Sequence, residues 1–224
     1  MSDASSSTHQ VFWRQFRENY ITVGALLPSS RFLARAMTAR LAEKHGPVRV
    51  LEAGAGTGAF TSQILALLQP GDEFDAVEIN PQFFAVLQQR FTPPHSSPPP
   101  GVEVRWINDD IRNLEPGAGY DFIIFSLPLT NFPPALVQEF LGQMVAFLKP
   151  GGYFSYFKYI FIGRFRYAFG GKAIRSEMNA NHAIITGFSD RYQTGQTSVL
   201  RNLTPAWVYY WQKPGQSESR SPGG

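Results

Sequence analysis

From Arg49 onward the chain alternates between two hydrophobic rhythms. "VRVLEAG", "EFDAVEI" and "VEVRWIN" place apolar residues at alternate positions or in short runs, the pattern of strands. Between them, "FTSQILALLQ" and "PQFFAVLQQRF" repeat their apolar positions about every 3.6 residues, the pattern of helices with one buried face. "YDFIIFSLP" is a continuous apolar run and predicts a buried fourth strand, "PALVQEFLGQMVAFL" predicts a helix stopped by "KPGG", and "GYFSYFKY" predicts a fifth strand. Strands separated in this way by helices form a parallel sheet covered on both faces, with ligands bound beyond the carboxyl ends of the strands. "NLTPAWVYYWQ" predicts one more strand with no helix after it, expected to pair antiparallel. Residues 92–101, "TPPHSSPPPG", are too rich in proline for either element and are expected to form an exposed loop.

Two helical stretches precede the sheet. "SSRFLARAMTARLAEKHG" predicts a helix capped by Ser30 and stopped at Gly46-Pro47. Earlier, "VFWRQFRENY" predicts an amphipathic helix: Phe12, Phe16, Tyr20 and Val23 share a stripe, Trp13 lies at its edge, and Arg14 and Arg17 lie beside it. The termini, "MSDASSST" and "KPGQSESRSPGG", have almost nothing to bury. The expected organisation is a tail at 1–8, a helical extension at 9–46, an α/β domain at 47–213 and a tail at 214–224.

Composition narrows the picture. With 224 residues, 43% of them apolar and 17% charged, the chain suits one folded domain with a short appendage. It has no cysteine, which excludes disulfides, thiolate nucleophiles and cysteine metal sites. No secretory signal or membrane span is expected. The net charge of +3 is divided unevenly: residues 1–49 carry seven Lys/Arg against three acids, residues 50–121 three against ten, and residues 149–213 nine against two. Basic flanks around an acidic middle suit an anionic partner, nucleic acid or lipid.

The acidic middle holds the densest chemistry. In "LEAGAGTGAF", Gly54, Gly56 and Gly58 follow the first strand, allow a tight turn and leave backbone bare for a ligand. Gly54, Gly56 and Ala59 also satisfy a dinucleotide fingerprint, and Glu78 at the end of the second strand suits ribose hydroxyls with either kind of ligand. Glu52, two residues before the first glycine, favours a ligand carrying an amino group over one carrying phosphates, because like charges repel. "NDDI" at 108–111 follows the third strand, where an acid can accept an adenine amino group. With these motifs the chain resembles the class I S-adenosylmethionine-dependent methyltransferases, which have a Rossmann-like α/β fold. The resemblance implies S-adenosylmethionine as cofactor, with Glu52 at its amino group, Glu78 at the ribose and Asp110 with Ile111 at the adenine. Asp109 is the alternative acid there, as a cap of the local turn.

"FSLPLTNFPP" after the fourth strand is where an accepting atom meets the cofactor. RNA adenine methyltransferases carry an amide and an aromatic ring at this point, whereas here Ser126 and Leu129 stand, which removes a stacking platform for a base. The segment is more similar to the Leu-Pro-Leu motif of bacterial phospholipid N-methyltransferases. "VGALLPSSRFLARAM" and "RNLTPAW" extend that similarity over most of the chain, although Thr204 replaces a usual proline. It implies methylation of a headgroup amine, phosphatidylethanolamine towards phosphatidylcholine, by a cytoplasmic protein on the inner face of the cell membrane. An rRNA adenine N6-methyltransferase and an ornithine-lipid N-methyltransferase are the alternatives. Ser126 and the carbonyls around Leu127 are the candidates for orienting the amine, Ser126 also borders the cofactor, and Tyr20 is a candidate for closing over the methylated nitrogen. Phe12, Trp13, Arg14, Phe16 and Arg17 suit an interfacial helix, and Lys158, Arg164 and Arg166 lie in an aromatic and basic stretch suited to lipid phosphates. The partners expected are thus a phospholipid substrate and an anionic membrane surface, with no metal and nucleic acid disfavoured. Of four histidines only His182, in "NANHAII", is considered as a base.

Overall fold

The computed structural model describes residues 30–160, 171–202 and 204–215. The expectations placed on Phe12, Trp13, Arg14, Phe16, Arg17, Tyr20, Arg164 and Arg166 lie outside these residues.

The described chain opens with α1 (Arg31–Met37) and α2 (Ala39–Ala42). Ser30 caps α1 as expected, its hydroxyl accepting from Leu33 N at 3.3 Å. The single helix expected here is broken at Thr38, whose hydroxyl donates to Ala34 O at 2.9 Å. Such back-bonding to the preceding turn bends a helix. Leu33, Ala34, Met37 and Leu41 nevertheless keep one apolar face, and all four are buried.

Five parallel strands follow: β1 (Arg49–Ala53), β2 (Glu73–Val77), β3 (Glu103–Ile107), β4 (Tyr120–Phe125) and β5 (Leu148–Tyr159). Between them lie α3 (Thr61–Leu65), α4 (Pro81–Phe91) and α5 (Pro134–Phe147). The start of α4 is set by Asn80, whose side chain accepts from Gln82 N and Phe83 N, and by Pro81 at the first helical position. The long α6 (Lys172–Tyr192) then leads into β6 (Gln193–Val199) and β7 (Ala206–Gln212). The sheet order is β3-β2-β1-β4-β5-β7-β6. β7 pairs antiparallel with β5 as expected, and β6 pairs antiparallel with β7 at the sheet edge.

Successive strand residues face opposite sides, so the sheet is covered by two apolar clusters. Leu51, Ala53, Phe125 and Phe154 pack with α5 and with Ile185 of α6. Val50, Phe74 and Ile124 pack with Leu33, Ile64 and Leu87 from α1, α3 and α4. The order reverses between β1 and β4, and at this switch point Ala53 is level with both Val77 and Phe125. The loops after β1, β2 and β4 therefore leave the sheet side by side, where a ligand crevice opens in such folds. No helix among the described residues is long and apolar enough to cross a membrane.

Candidate functional site

All three glycines after β1 have positive φ, +81° at Gly54, +57° at Gly56 and +89° at Gly58, a region that side chains disfavour. Their bareness serves different neighbours. A Cβ at Gly54 would overlap Leu127 Cδ2, and one at Gly58 would overlap the Phe91 ring. At Gly56 a Cβ would meet nothing within 4 Å. In the Cβ direction Gly54 and Gly58 thus make room for the protein's own side chains, and of the three Gly56 alone faces open space there. The loop is pinned by Gly54 N and Ala55 N, which both donate to Val77 O, at 2.9 and 3.0 Å.

Glu78, at the end of β2, is tied into the same loop. One carboxylate oxygen accepts from Gly56 N at 2.7 Å and the other from Asn80 N at 2.8 Å, while its carbonyl accepts from Asn108 Nδ2 at 2.7 Å. Burial raises its pKa, against the pull of these backbone donors. Glu52 is completely buried on β1. Its Oε2 accepts from the Thr61 hydroxyl at 2.6 Å, and its Oε1 is buried without a partner. Burial pushes the Glu52 carboxyl up to about 8; the Thr61 hydrogen bond opposes this and the Glu78 charge adds to it. A buried acceptor with no donor is costly, and a cationic ligand would satisfy it.

Asp110 begins the turn Ile111–Asn113 and accepts from Arg112 N at 3.0 Å. Both its oxygens also accept from the Arg112 guanidinium, with Nη2 at 2.6 Å from Oδ2. Asp109 accepts from Asp110 N and Asn113 Nδ2. Local capping, expected of Asp109 as the alternative, is therefore done by both acids. Ile111 is buried in the cluster that covers α5.

The loop after β4 supplies the other wall. Ser126 N donates to Ala53 O at 2.9 Å, which holds the loop beside the glycines, and the Ser126 hydroxyl is buried with no partner. Leu127 is buried with its side chain in the space left by Gly54, and Leu129 is buried at 1% exposure. Asn181 of α6, which the sequence did not single out, donates to Phe132 O at 2.9 Å and ties α6 to this loop. It is buried at 3% exposure on the face of α6 that also carries Ile185, and no local sequence pattern marks it. His182 beside it is exposed.

Phe125 pairs with Tyr156, so Lys158 stands two residues further along β5, at the edge where Ser126 and Leu127 emerge. Its ammonium lies 5.9 Å from the Tyr156 ring centre and 5.3 Å from that of Tyr209. Burial pushes its pKa down to about 8. Lys158, expected to meet lipid phosphates, is half-buried beside the rings of Tyr156 and Tyr209. Among the described residues no acid pairs with it, and no cluster of His, Asp and Glu suits a metal ion.

A family model described as a methyltransferase domain matches residues 51–154, from β1 into β5. An O-methyltransferase from Bacillus cereus, solved in complex with S-adenosylhomocysteine, superposes with a TM-score of 0.61 over 89% of this chain and 91% of its own, at 14% identity. The chain carries a class I S-adenosylmethionine-dependent methyltransferase domain. S-adenosylmethionine is accordingly the cofactor of this methyltransferase, and the unpartnered Glu52 Oε1 and the open space at Gly56 fit a ligand with an ammonium group that lies against backbone. The methyltransferase is also similar to an ornithine lipid N-methyltransferase from Singulisphaera acidiphila, 27% identical over 147 residues that make up 65% of this chain and 74% of that protein. A hybrid PKS-NRPS synthetase lepA from Aspergillus flavus is 32% identical over 143 residues, 60% of this chain but 3% of that much longer protein.

Proposed function

We propose that this methyltransferase acts on the amine of a phospholipid headgroup, carrying phosphatidylethanolamine towards phosphatidylcholine at a membrane surface. The observation that carries the proposal is the pairing, at one edge of the sheet, of a buried unpartnered hydroxyl on Ser126 with an unpaired, half-buried cation on Lys158. An ethanolamine headgroup presents the complement: an amine and, a few bonds away, a phosphodiester anion. S-adenosylmethionine supplies a methyl group already activated on a positively charged sulfur. In the proposed complex Glu52 holds the amino group of the cofactor, Glu78 the ribose, Asp110 and Ile111 the adenine, and the backbone at Gly56 the body of the ligand. Gly54 and Gly58 act indirectly, through the packing of Leu127 and Phe91.

The headgroup amine has an ordinary pKa of about 10, so it must shed its proton before it has a lone pair to offer. The Ser126 hydroxyl and the carbonyl of Leu127 accept from the remaining N–H groups and aim the lone pair, and alignment of two bound reactants supplies most of the rate. Lys158 pairs with the phosphodiester. Tyr20 and the cationic and aromatic residues 12–17, 164 and 166 are proposed to close the site and hold the membrane. The proposed domain boundaries are those of the sequence, with the sheet between residues 47 and 213 and α1 and α2 of the extension packed on it.

Ornithine-lipid methylation is the second reading, favoured by similarity to the Singulisphaera enzyme. Adenine methylation of RNA is disfavoured because Leu129 occupies the position of the stacking ring and is buried in the core. Incubation with methyl-labelled cofactor and, in parallel, phosphatidylethanolamine vesicles, ornithine-lipid vesicles and ribosomal RNA tests the proposal. Label is expected in phosphatidylethanolamine; label in RNA and in neither lipid overturns it.

A further inference from the structure

The turn between β6 and β7, residues 200–205, stands at the carboxyl edge of the sheet, because Ala206 pairs with Tyr159 at the end of β5. Leu200 in this turn is 69% exposed; among the described residues Val86 is the other exposed large hydrophobic, at 46%. Arg201 beside it is exposed and its guanidinium lies 5.9 Å from the ring centre of Phe32 on α1. Arg31 lies over the same ring at 5.0 Å. One further bond ties the turn to the start of α1, Ser30 N donating to Asn202 Oδ1 at 3.1 Å, and one ties β7 to α1, the Tyr210 hydroxyl donating to Ala36 O at 2.7 Å. Residues 30–42 and 193–215 contain no Asp or Glu, and Arg31, Arg35 and Arg201 have no acid partner among the described residues. The positions from which residues 1–29 and 161–170 continue are also on this edge, at Ser30 and at Ile160, whose N–H donates to Pro205 O at 2.9 Å.

We propose that the β6–β7 turn and the outer side of α1 form a docking surface for a bilayer containing anionic phospholipid, with Leu200 entering the headgroup layer and Arg31, Arg35 and Arg201 pairing lipid phosphates. The surface places the opening of the site, between the ends of β1, β4 and β5, against the membrane. An exposed aliphatic tip framed by arginines suits an interface that is apolar below and anionic above. A single-stranded nucleic acid would need free aromatic faces, and the ring available here, Phe32, is covered by guanidinium groups. The inference rests on the lipid reading above and names residues that touch neither reactant.

The full-length protein is sedimented with vesicles of equimolar phosphatidylglycerol and phosphatidylcholine, and with pure phosphatidylcholine vesicles, over a range of salt. Binding is expected only to the anionic vesicles, weakening with salt. Arg31→Glu, Arg35→Glu and Arg201→Glu each weaken it by at least about fivefold, Leu200→Asp weakens it too, and Val86→Asp leaves it unchanged. Thermal midpoints and cofactor affinity stay at the wild-type values, since the substituted side chains are exposed. Wild-type sedimentation of Leu200→Asp and Arg201→Glu overturns the inference. So does an equal loss in Val86→Asp, or loss of binding to a single-stranded RNA while vesicle binding persists. Methyl transfer to phosphatidylethanolamine in detergent micelles separates the two proposals: if vesicle binding depends on these residues but no lipid is labelled, the docking surface stands and the headgroup reading falls.

Discussion

Glu52 carries opposing demands that one substitution separates. Glu52→Gln keeps the size of the side chain and an acceptor for the Thr61 hydroxyl but removes the charge. In the cofactor-free protein the carboxyl is raised from its ordinary value of 4.5 to about 8, so between those values the folded state holds a proton that the unfolded state has released. The unfolded state therefore gains on the folded one as pH rises through this window, at up to about 1.4 kcal/mol per pH unit, or about 3 kcal/mol by pH 7. Glutamine has no such liability, so the variant should match wild type near pH 4.5 and exceed it by about 3 kcal/mol at pH 7. Cofactor binding should move the other way. Below pH 8 the free carboxyl and the free α-amino group of S-adenosylmethionine, whose pKa is about 8, each carry a proton, and the bound pair keeps one of the two. Wild-type affinity should then rise about tenfold per pH unit up to about pH 8, with release of one proton. In Glu52→Gln no proton is released and affinity is flat, so the deficit of the variant should be about 100-fold at pH 8, within the range for removing one partner of a buried charge pair, and should nearly vanish at pH 6. Calorimetric titration in two buffers of different ionisation enthalpy counts the proton, and thermal melts across pH follow stability. A deficit that does not change with pH, with no difference in proton release, would refute the pairing of Glu52 with the amino group.

Gly56→Leu should fold, losing about 1–2 kcal/mol to its positive φ, and should bind cofactor at least about 100-fold more weakly; unchanged affinity in a calorimetric titration would show that the open space at Gly56 holds no ligand. Gly58→Ala, by contrast, meets the Phe91 ring and should lose more stability by thermal melting than Gly56→Ala does. Ser126→Ala removes a hydroxyl that makes no bond within the protein, so its melting temperature should hold or rise while kcat/KM for the lipid falls about 5- to 10-fold; a fall in both would mark the hydroxyl as structural. With cofactor saturating and lipid in micelles, wild-type kcat/KM should climb as the amine sheds its proton and level off near pH 8, where Lys158 loses its charge. Lys158→Arg stays charged and should keep climbing towards about pH 10, whereas a bend at the same pH in both proteins would mean that Lys158 does not meet the phosphodiester.

The elements that were legible in the sequence are those that carry their own punctuation. α4 runs over the residues expected because Asn80 and Pro81 fix its start locally, and β1, β2 and β4 announce themselves by runs of residues that are nearly all buried. α6 and β6 escaped notice because their burial is sparse. α6 buries only Asn181 and Ile185, too few for an apolar stripe, and β6 buries only Val199. Both are held by partners that no local pattern records, α6 by α5 and β7, and β6 by its ladder with β7. The nearness of the candidate acids to the glycine loop was legible for the same reason as the strands, since Glu52 and Glu78 sit at fixed offsets from it at the strand ends. The partition of the glycines was not, because it depends on Leu127 and Phe91, distant in sequence. Lys158 was visible as a cation among aromatics, but its neighbour Tyr209 is brought to it by the pairing of β5 with β7, distant in sequence.

Leu127 lodged against Gly54 joins the two halves of the proposed reaction centre by a single tooth and notch. Neither half can be re-cut alone: a bulkier notch expels the tooth, and a smaller tooth loosens the grip on the donor side. Changes of taste for new acceptors are therefore expected to accumulate away from this notch, around Asn181, where one inherited chemistry can try new substrates without dulling its cut.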